Sequence, residues 1–103
     1  MIGASGFDWD EGNRSKCQKH GVSVDEIEGL FAGDVTIFED EGLSAVERRL
    51  KAIGKAPSGR SVFVVFTLRQ RGEDMMLRPI SARYMHKKEV AYYEKETSRA
   101  ENG

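Results

Sequence analysis

One segment limits the possible folds more than any other: Ser61-Val62-Phe63-Val64-Val65-Phe66-Thr67-Leu68. Its eight uncharged residues fall far short of the roughly 20 that span a bilayer. Rich in β-branched and aromatic side chains, it reads as a strand. Its continuous apolar character predicts a central strand buried on both faces. Arg71-Gly72-Glu73-Asp74 then turns the chain. Met75 to Arg83 returns as an antiparallel partner, with Pro79 marking a local irregularity or a sheet edge.

The segments around this pair supply the remaining elements. Phe7-Asp8-Trp9 alternates apolar and polar residues, as a short strand or an anchored extended segment does. Glu11 to His20 is polar, and His20-Gly21 reads as a helix end with Lys16 and Lys19 in the last turn. Ser23-Val24-Asp25-Glu26 has the form of a capping box. Behind it Val24, Ile27, Leu30 and Phe31 fall at helical spacing, and Gly33-Asp34 ends the stripe. Val35 to Phe38 is a strand that stops at the acidic Glu39-Asp40-Glu41-Gly42. Arg49 to Ile53 is the next strand, with Gly54 to Gly59 as the connection to Ser61. Met85 to Glu96 forms a terminal helix, and residues 97–103 a frayed tail. The order β-α-α-β-β-β-β-α predicts a single α+β domain over residues 1–96, an antiparallel meander with two N-terminal helices and one C-terminal helix. A chain of 103 residues leaves little room for a second core.

The net charge of −1 conceals a division. Residues 1–47 carry 3 basic and 11 acidic residues, whereas residues 48–103 carry 13 basic and 6 acidic. The basic half could meet a polyanion although the whole protein would not. Cys17 is the one cysteine, which rules out an intrachain disulfide and reads as a buried core residue. The N-terminus lacks the basic start and apolar run of a signal peptide, so a cytoplasmic, non-membrane protein is expected.

Several chemistries lack their residues. Cys17 and His20 lie three apart, but no Asn or Asp is placed to orient the histidine. There is no G-x-S-x-G elbow and no P-loop. Metal sites of the C-x-x-C or H-E-x-x-H type are absent, and His86 with Glu89 lacks matching ligands elsewhere. Neither a metal nor another cofactor is expected. Cleavage of RNA without a metal needs a base for the 2′-hydroxyl, cations around the phosphate and an acid for the 5′-oxygen. The basic half offers Arg49, Arg60, Arg69, Arg78 and Arg83 on neighbouring strands, followed by Tyr84, His86 and Lys87. Arginine forks match phosphate oxygens, and His and Tyr can shuttle protons or stack on a base. The competing explanation is that these arginines only cover a solvated sheet or pair with acidic residues, and Lys19-His20 would then be a basic helix end facing the dipole.

Phe7-Asp8-Trp9-Asp10, Lys19-His20-Gly21-Val22-Ser23, Glu47, Arg49, Ile53-Gly54, Gly59-Arg60 and Ile80-Ser81-Ala82-Arg83, with Glu89 and Tyr93, occur in that order. Together they resemble the BrnT family of type II toxin–antitoxin toxins, over about Phe7 to Glu94. The resemblance implies a RelE-like fold and a metal-independent endoribonuclease that inhibits translation. It also implies a BrnA-like ribbon-helix-helix antitoxin as partner, with DNA reached only through the toxin–antitoxin complex. The matched polar residues are Lys19, His20, Glu47, Arg49, Arg60 and Arg83, with Thr67 and Tyr93. Tyr84-Met85-His86 departs from the family's usual Arg/Thr-rich start of the last helix and makes His86 an additional candidate.

On this basis Arg49, Arg60 and Arg83 are expected to hold the scissile phosphate and His20 to transfer a proton. Tyr84 or His86 would stack on the base or act as the second acid or base. Lys19, Thr67, Arg69, Arg78 and Lys87 are expected to bind RNA or the partner. The alternative is a non-catalytic module whose basic face docks an antitoxin-like partner. Direct DNA binding by this chain has no recognition-helix pattern behind it.

Overall fold

A computed structural model describes residues 4–39 and 49–102, and the side chains of these except residue 93 and residues 96–102. The elements follow the expected order: β1 (Gly6–Phe7), α1 (Glu11–Gln18), α2 (Val24–Ala32), β2 (Val35–Glu39), β3 (Leu50–Lys55), β4 (Ser61–Arg71), β5 (Asp74–Tyr84) and α3 (Lys87–Asn102). The architecture is α+β. Residues 40–48, the acidic segment beyond Glu39 and the matched Glu47 among them, lie outside the described residues.

The five strands form one sheet in the order β1-β5-β4-β3-β2. β2 to β5 make the antiparallel meander, and β1 adds to the far edge in parallel with β5, through Gly6↔Met76 and Phe7↔Leu77. The sheet is therefore mixed. β1 is separated from β5 in the chain by both N-terminal helices and three strands, and a crossover of that length permits parallel pairing.

β4 is central, as its composition predicts, but its two faces differ. Val62, Val64 and Phe66 are fully buried, while the alternate Phe63 and Val65 are only partly covered. Strand residues alternate in direction, and paired residues on neighbouring strands share a face. Val62↔Tyr84, Val64↔Ala82 and Ala52↔Val64 therefore face the α1–α2 side. Phe63↔Arg83, Ile53↔Phe63 and Val65↔Ser81 face the other. Burial on both faces is thus met fully on one face only, because α1 and α2 both pack on the same side. The register shifts between Val65 and Phe66 opposite Pro79, a β-bulge at the residue that has no N–H to give the ladder.

Cys17 of α1 and Ile27 and Leu30 of α2 join Val22, Ala52, Val62, Val64, Phe66, Leu77 and Ala82 in the core. Phe31 meets Phe66 edge-on at 5.2 Å and Phe7 at 5.9 Å, which ties β1 to α2 and the sheet. Both helices start at side-chain caps. The reciprocal capping box belongs to α1, where Asp10 accepts from the Asn13 backbone N–H and the Asn13 side chain accepts from the Asp10 N–H. At α2, Ser23 Oγ accepts from the Glu26 N–H at 3.1 Å as expected. The Glu26 carboxylate stays within reach of Ser23, with Oε1 3.4 Å from Ser23 Oγ, and also bonds beyond its own helix. After α1 the chain reverses at Gly21, whose φ of +89° is the left-handed conformation that favours glycine.

β3 runs on through Gly54 and Lys55, so the connection to β4 is a shorter turn than the sequence suggests. α3 continues past Glu96, where the sequence pattern ends it, to Asn102. No helix among the described residues is long and apolar enough to cross a membrane.

Candidate functional site

At the end of the sheet where β4 starts and β5 finishes, four chain segments converge. These are the His20-Gly21 turn, the first turn of α2, the turn before β4 and the C-terminus of β5. Tyr84 lies at their centre. Its hydroxyl donates towards both carboxylate oxygens of Glu26, at 2.7 and 2.9 Å, and lies 3.4 Å from the Gly21 carbonyl oxygen. Ser58 Oγ donates to the same carboxylate at 3.2 Å. The hydrogen bond from Tyr84 holds the Glu26 carboxyl below its usual pKa, with the Ser23 backbone and the two serine hydroxyls adding to the effect. The same bond raises the pKa of the Tyr84 phenol, so the pair is stable as neutral phenol and carboxylate.

Arg60 lies over the Tyr84 ring, its guanidinium carbon 3.5 Å from the ring centroid. Beyond it, Gly59, Arg60, Ser61, Met85, Lys87, Val90, Ala91 and Glu94 line an open cleft of about 450 Å³ between the start of β4 and α3. His20 and Lys19 are exposed beside Gly21, and His86 is exposed just before α3.

Arg83 neighbours Tyr84 in the chain but projects from the opposite face of β5. There it sits over Phe63 at 4.8 Å and forms a two-pronged pair with Glu89 of α3, at 2.8 and 2.7 Å. The Arg83 bond, then the His86 backbone N–H, lowers the Glu89 pKa to about 2.

The sequence-derived candidates therefore separate into two groups. Lys19, His20, Arg60, Tyr84, His86 and Lys87 gather around this end, with Arg83 on the reverse of the strand. Arg49, Thr67, Arg69 and Arg78 belong to the other end: Leu50 pairs with Phe66, Thr67 with Arg78 and Arg69 with Met76. Six strand positions separate Arg60 from Phe66, about 20 Å at 3.3 Å per residue. Thr67 is 1% exposed and offers no surface to RNA or a partner. Arg78 is committed internally, with Nη2 at 2.7 Å from Asp10 and Nη1 at 3.6 Å from Asp8, its side chain only 16% exposed. That pair fastens β5 to the segment between β1 and α1. The Asp10 pKa falls mainly through the Asn13 backbone N–H and then through Arg78.

Glu26 and Ser58 were not among the candidates. A signal for Glu26 was present in the capping box, but that pattern directs its carboxylate to its own helix end. No local pattern points it at a tyrosine 58 positions away. Ser58 stands in a turn where a serine is ordinary. Among the described residues no group of three metal-ligating side chains is present.

A profile described as "Ribonuclease toxin, BrnT, of type II toxin-antitoxin system" matches residues 9–89. The chain belongs to the BrnT family. Membership in this ribonuclease toxin family of type II systems implies an antitoxin partner. The match takes in β2 to β5, α1, α2 and the first residues of α3, and so contains all the residues gathered around Tyr84. No curated protein matches the chain.

Proposed function

We propose that the chain cleaves RNA without a metal, as the toxin of a type II pair, and that loss of translated RNA inhibits translation. The observation that supports this most directly is the Arg60 guanidinium. Its central carbon lies 3.5 Å from the Tyr84 ring centroid, beside the His20-Gly21 turn and at the mouth of the cleft, with no carboxylate partner among the described residues. A guanidinium held this way presents its N–H edge to a phosphodiester and meets the charge that grows on the phosphate oxygens during transfer.

In the proposed reaction a base removes the 2′-hydroxyl proton and the 2′-oxygen bonds to phosphorus. The P–O5′ bond breaks, and an acid delivers a proton to the departing 5′-oxygen, leaving a 2′,3′-cyclic phosphate. His20 and His86, the two imidazoles of the chain, are assigned the proton transfers, since an imidazole can accept a proton at one ring nitrogen and donate one from the other. Tyr84 is assigned neither transfer nor base stacking, because its proton is held by Glu26 and Arg60 covers one ring face. Arg60 takes the central phosphate role. Arg83, whose fork is filled by Glu89, anchors α3 instead. The partner is proposed to be a BrnA-like ribbon-helix-helix antitoxin, which alone brings the pair to DNA, and the site of action the cytoplasm.

Expression of the chain without an antitoxin, followed by growth and RNA integrity, tests this reading. Purified chain in EDTA should cleave RNA, and Arg60→Ala should slow cleavage by about 100-fold or more. Arg71→Ala, at the distant β4–β5 hairpin, should leave the rate unchanged. Growth arrest with intact RNA would instead support the non-catalytic module.

A further inference from the structure

Arg71, Arg78 and Arg83 each have a carboxylate to fix their guanidinium groups. Arg60 is fixed differently, by the face of Tyr84 at 3.5 Å. A guanidinium stacked on a ring keeps its hydrogen-bonding edge free, whereas a salt bridge uses that edge. The stack orients Arg60 only if the ring itself is stationary. Tyr84 ends β5 and is followed by the two-residue link to α3, so its backbone alone secures it on one side. Its hydroxyl is the second attachment.

That attachment is Glu26. The carboxylate accepts from Tyr84 Oη at 2.7 and 2.9 Å, from Ser58 Oγ at 3.2 Å and from Ser23 Oγ at 3.4 Å. Ser58 stands two residues before Arg60, so one carboxylate ties down both the platform and the turn that delivers the guanidinium. The start of α2 also has a cap that does not pass through this carboxylate, from the Glu26 backbone N–H to Ser23 Oγ at 3.1 Å.

We infer that Glu26 is a positioning residue for RNA cleavage: it clamps Tyr84 and the Ser58 turn so that the Arg60 guanidinium is held edge-out to take the RNA phosphate. The inference rests on the ribonuclease reading above, and one of its readouts does not depend on cleavage.

The test compares wild type, Glu26→Gln, Tyr84→Phe, Arg60→Ala and Glu26→Gln/Arg60→Ala. Far-UV circular dichroism melts confirm folding, for which Tyr84→Phe is the milder companion to Glu26→Gln. In the free protein, the Arg60 Nε–H proton should carry a ring-current shift from Tyr84. It should move towards its unstructured position in both single variants of the clamp. On an RNA oligonucleotide, Glu26→Gln should lower kcat about tenfold with a smaller change in KM, the pattern of a contact that strengthens as charge grows on the phosphate. In the Arg60→Ala background Glu26→Gln should add less than about twofold, since its effect passes through Arg60. An Arg60 resonance unmoved in Glu26→Gln overturns the clamp, and so does a full additional loss in the double variant. Wild-type chain that leaves RNA intact overturns the ribonuclease reading, and with it the catalytic purpose of the clamp, through a different signature.

Discussion

Arg83 and Glu89 face each other through two parallel hydrogen bonds, Nη1 to Oε1 at 2.8 Å and Nη2 to Oε2 at 2.7 Å. This is the geometry in which a guanidinium and a carboxylate match best. It joins the end of β5, the last strand of the meander, to the first turn of α3, and Glu89 also accepts from the His86 N–H at 3.2 Å, closing that helix start. An arginine within the span matched to the family thus has a structural bond to make before any ligand arrives.

The pair predicts a response to acid. The folded pKa of Glu89 is about 2, against an ordinary 4.5. A carboxylate whose pKa is lowered on folding contributes stability that is present above the unfolded value. That contribution is lost as pH falls from about 4.5 through about 2. Urea midpoints measured from pH 6 to pH 2.5 should therefore fall more steeply for wild type than for Glu89→Gln. Parallel curves would remove the bond from the stability balance.

Asn13 is 6% exposed and uses its whole amide. Its nitrogen donates to the carbonyl oxygens of Asp8 and Pro79, at 2.9 and 2.8 Å, and its oxygen accepts from the Asp10 N–H at 2.7 Å. One side chain thereby caps α1 and secures the bulged part of β5. Asn13→Ala leaves buried backbone groups without partners and should destabilise the fold by about 2–4 kcal/mol. Asn13→Asp should also destabilise it, because it removes both donors. Equilibrium denaturation measures both.

Gly29 lies in α2 under Pro57, and a Cβ added there would stand 2.8 Å from the proline Cδ. Gly29→Ala gains about 1 kcal/mol of helix propensity in isolation. The overlap with Pro57 should outweigh that gain and leave the protein about 1–2 kcal/mol less stable. Because the displaced turn carries Ser58 and Arg60, RNA cleavage should fall as well. A more stable, fully active variant would show that the turn yields freely.

Cys17 is fully buried between α1 and the sheet, and burial pushes its thiol pKa up to about 11. At pH 8 the folded protein should be inert to a disulfide reagent, since the thiolate is the reacting form. Addition of denaturant should release one equivalent of rapidly reacting thiol. Prompt reaction in native buffer would contradict the packing of α1.

The arginines show where reading the sequence reaches its limit. Arg60, Arg78 and Arg83 look alike along the chain: each stands at or beside a strand in the basic half. In the fold they have three different surroundings. Arg78 reaches an aspartate 68 positions away, Arg83 a glutamate 6 positions on, and Arg60 a tyrosine ring. Thr67, expected to bind RNA or the partner, is closed off from solvent within the central strand.

What the sequence determined was local: the uncharged run of β4, the apolar stripe of α2, the glycine after α1, the element order and the family motifs. Hydrophobic periodicity and turn chemistry act over a few residues and leave their pattern there. What only the tertiary structure decided was which charges meet. Glu26 and Tyr84 are 58 positions apart, and Asp10 and Arg78 are 68. Such pairs depend on how strands register and on which face each side chain takes, and a shift of one residue would send every one of them to the opposite side of the sheet.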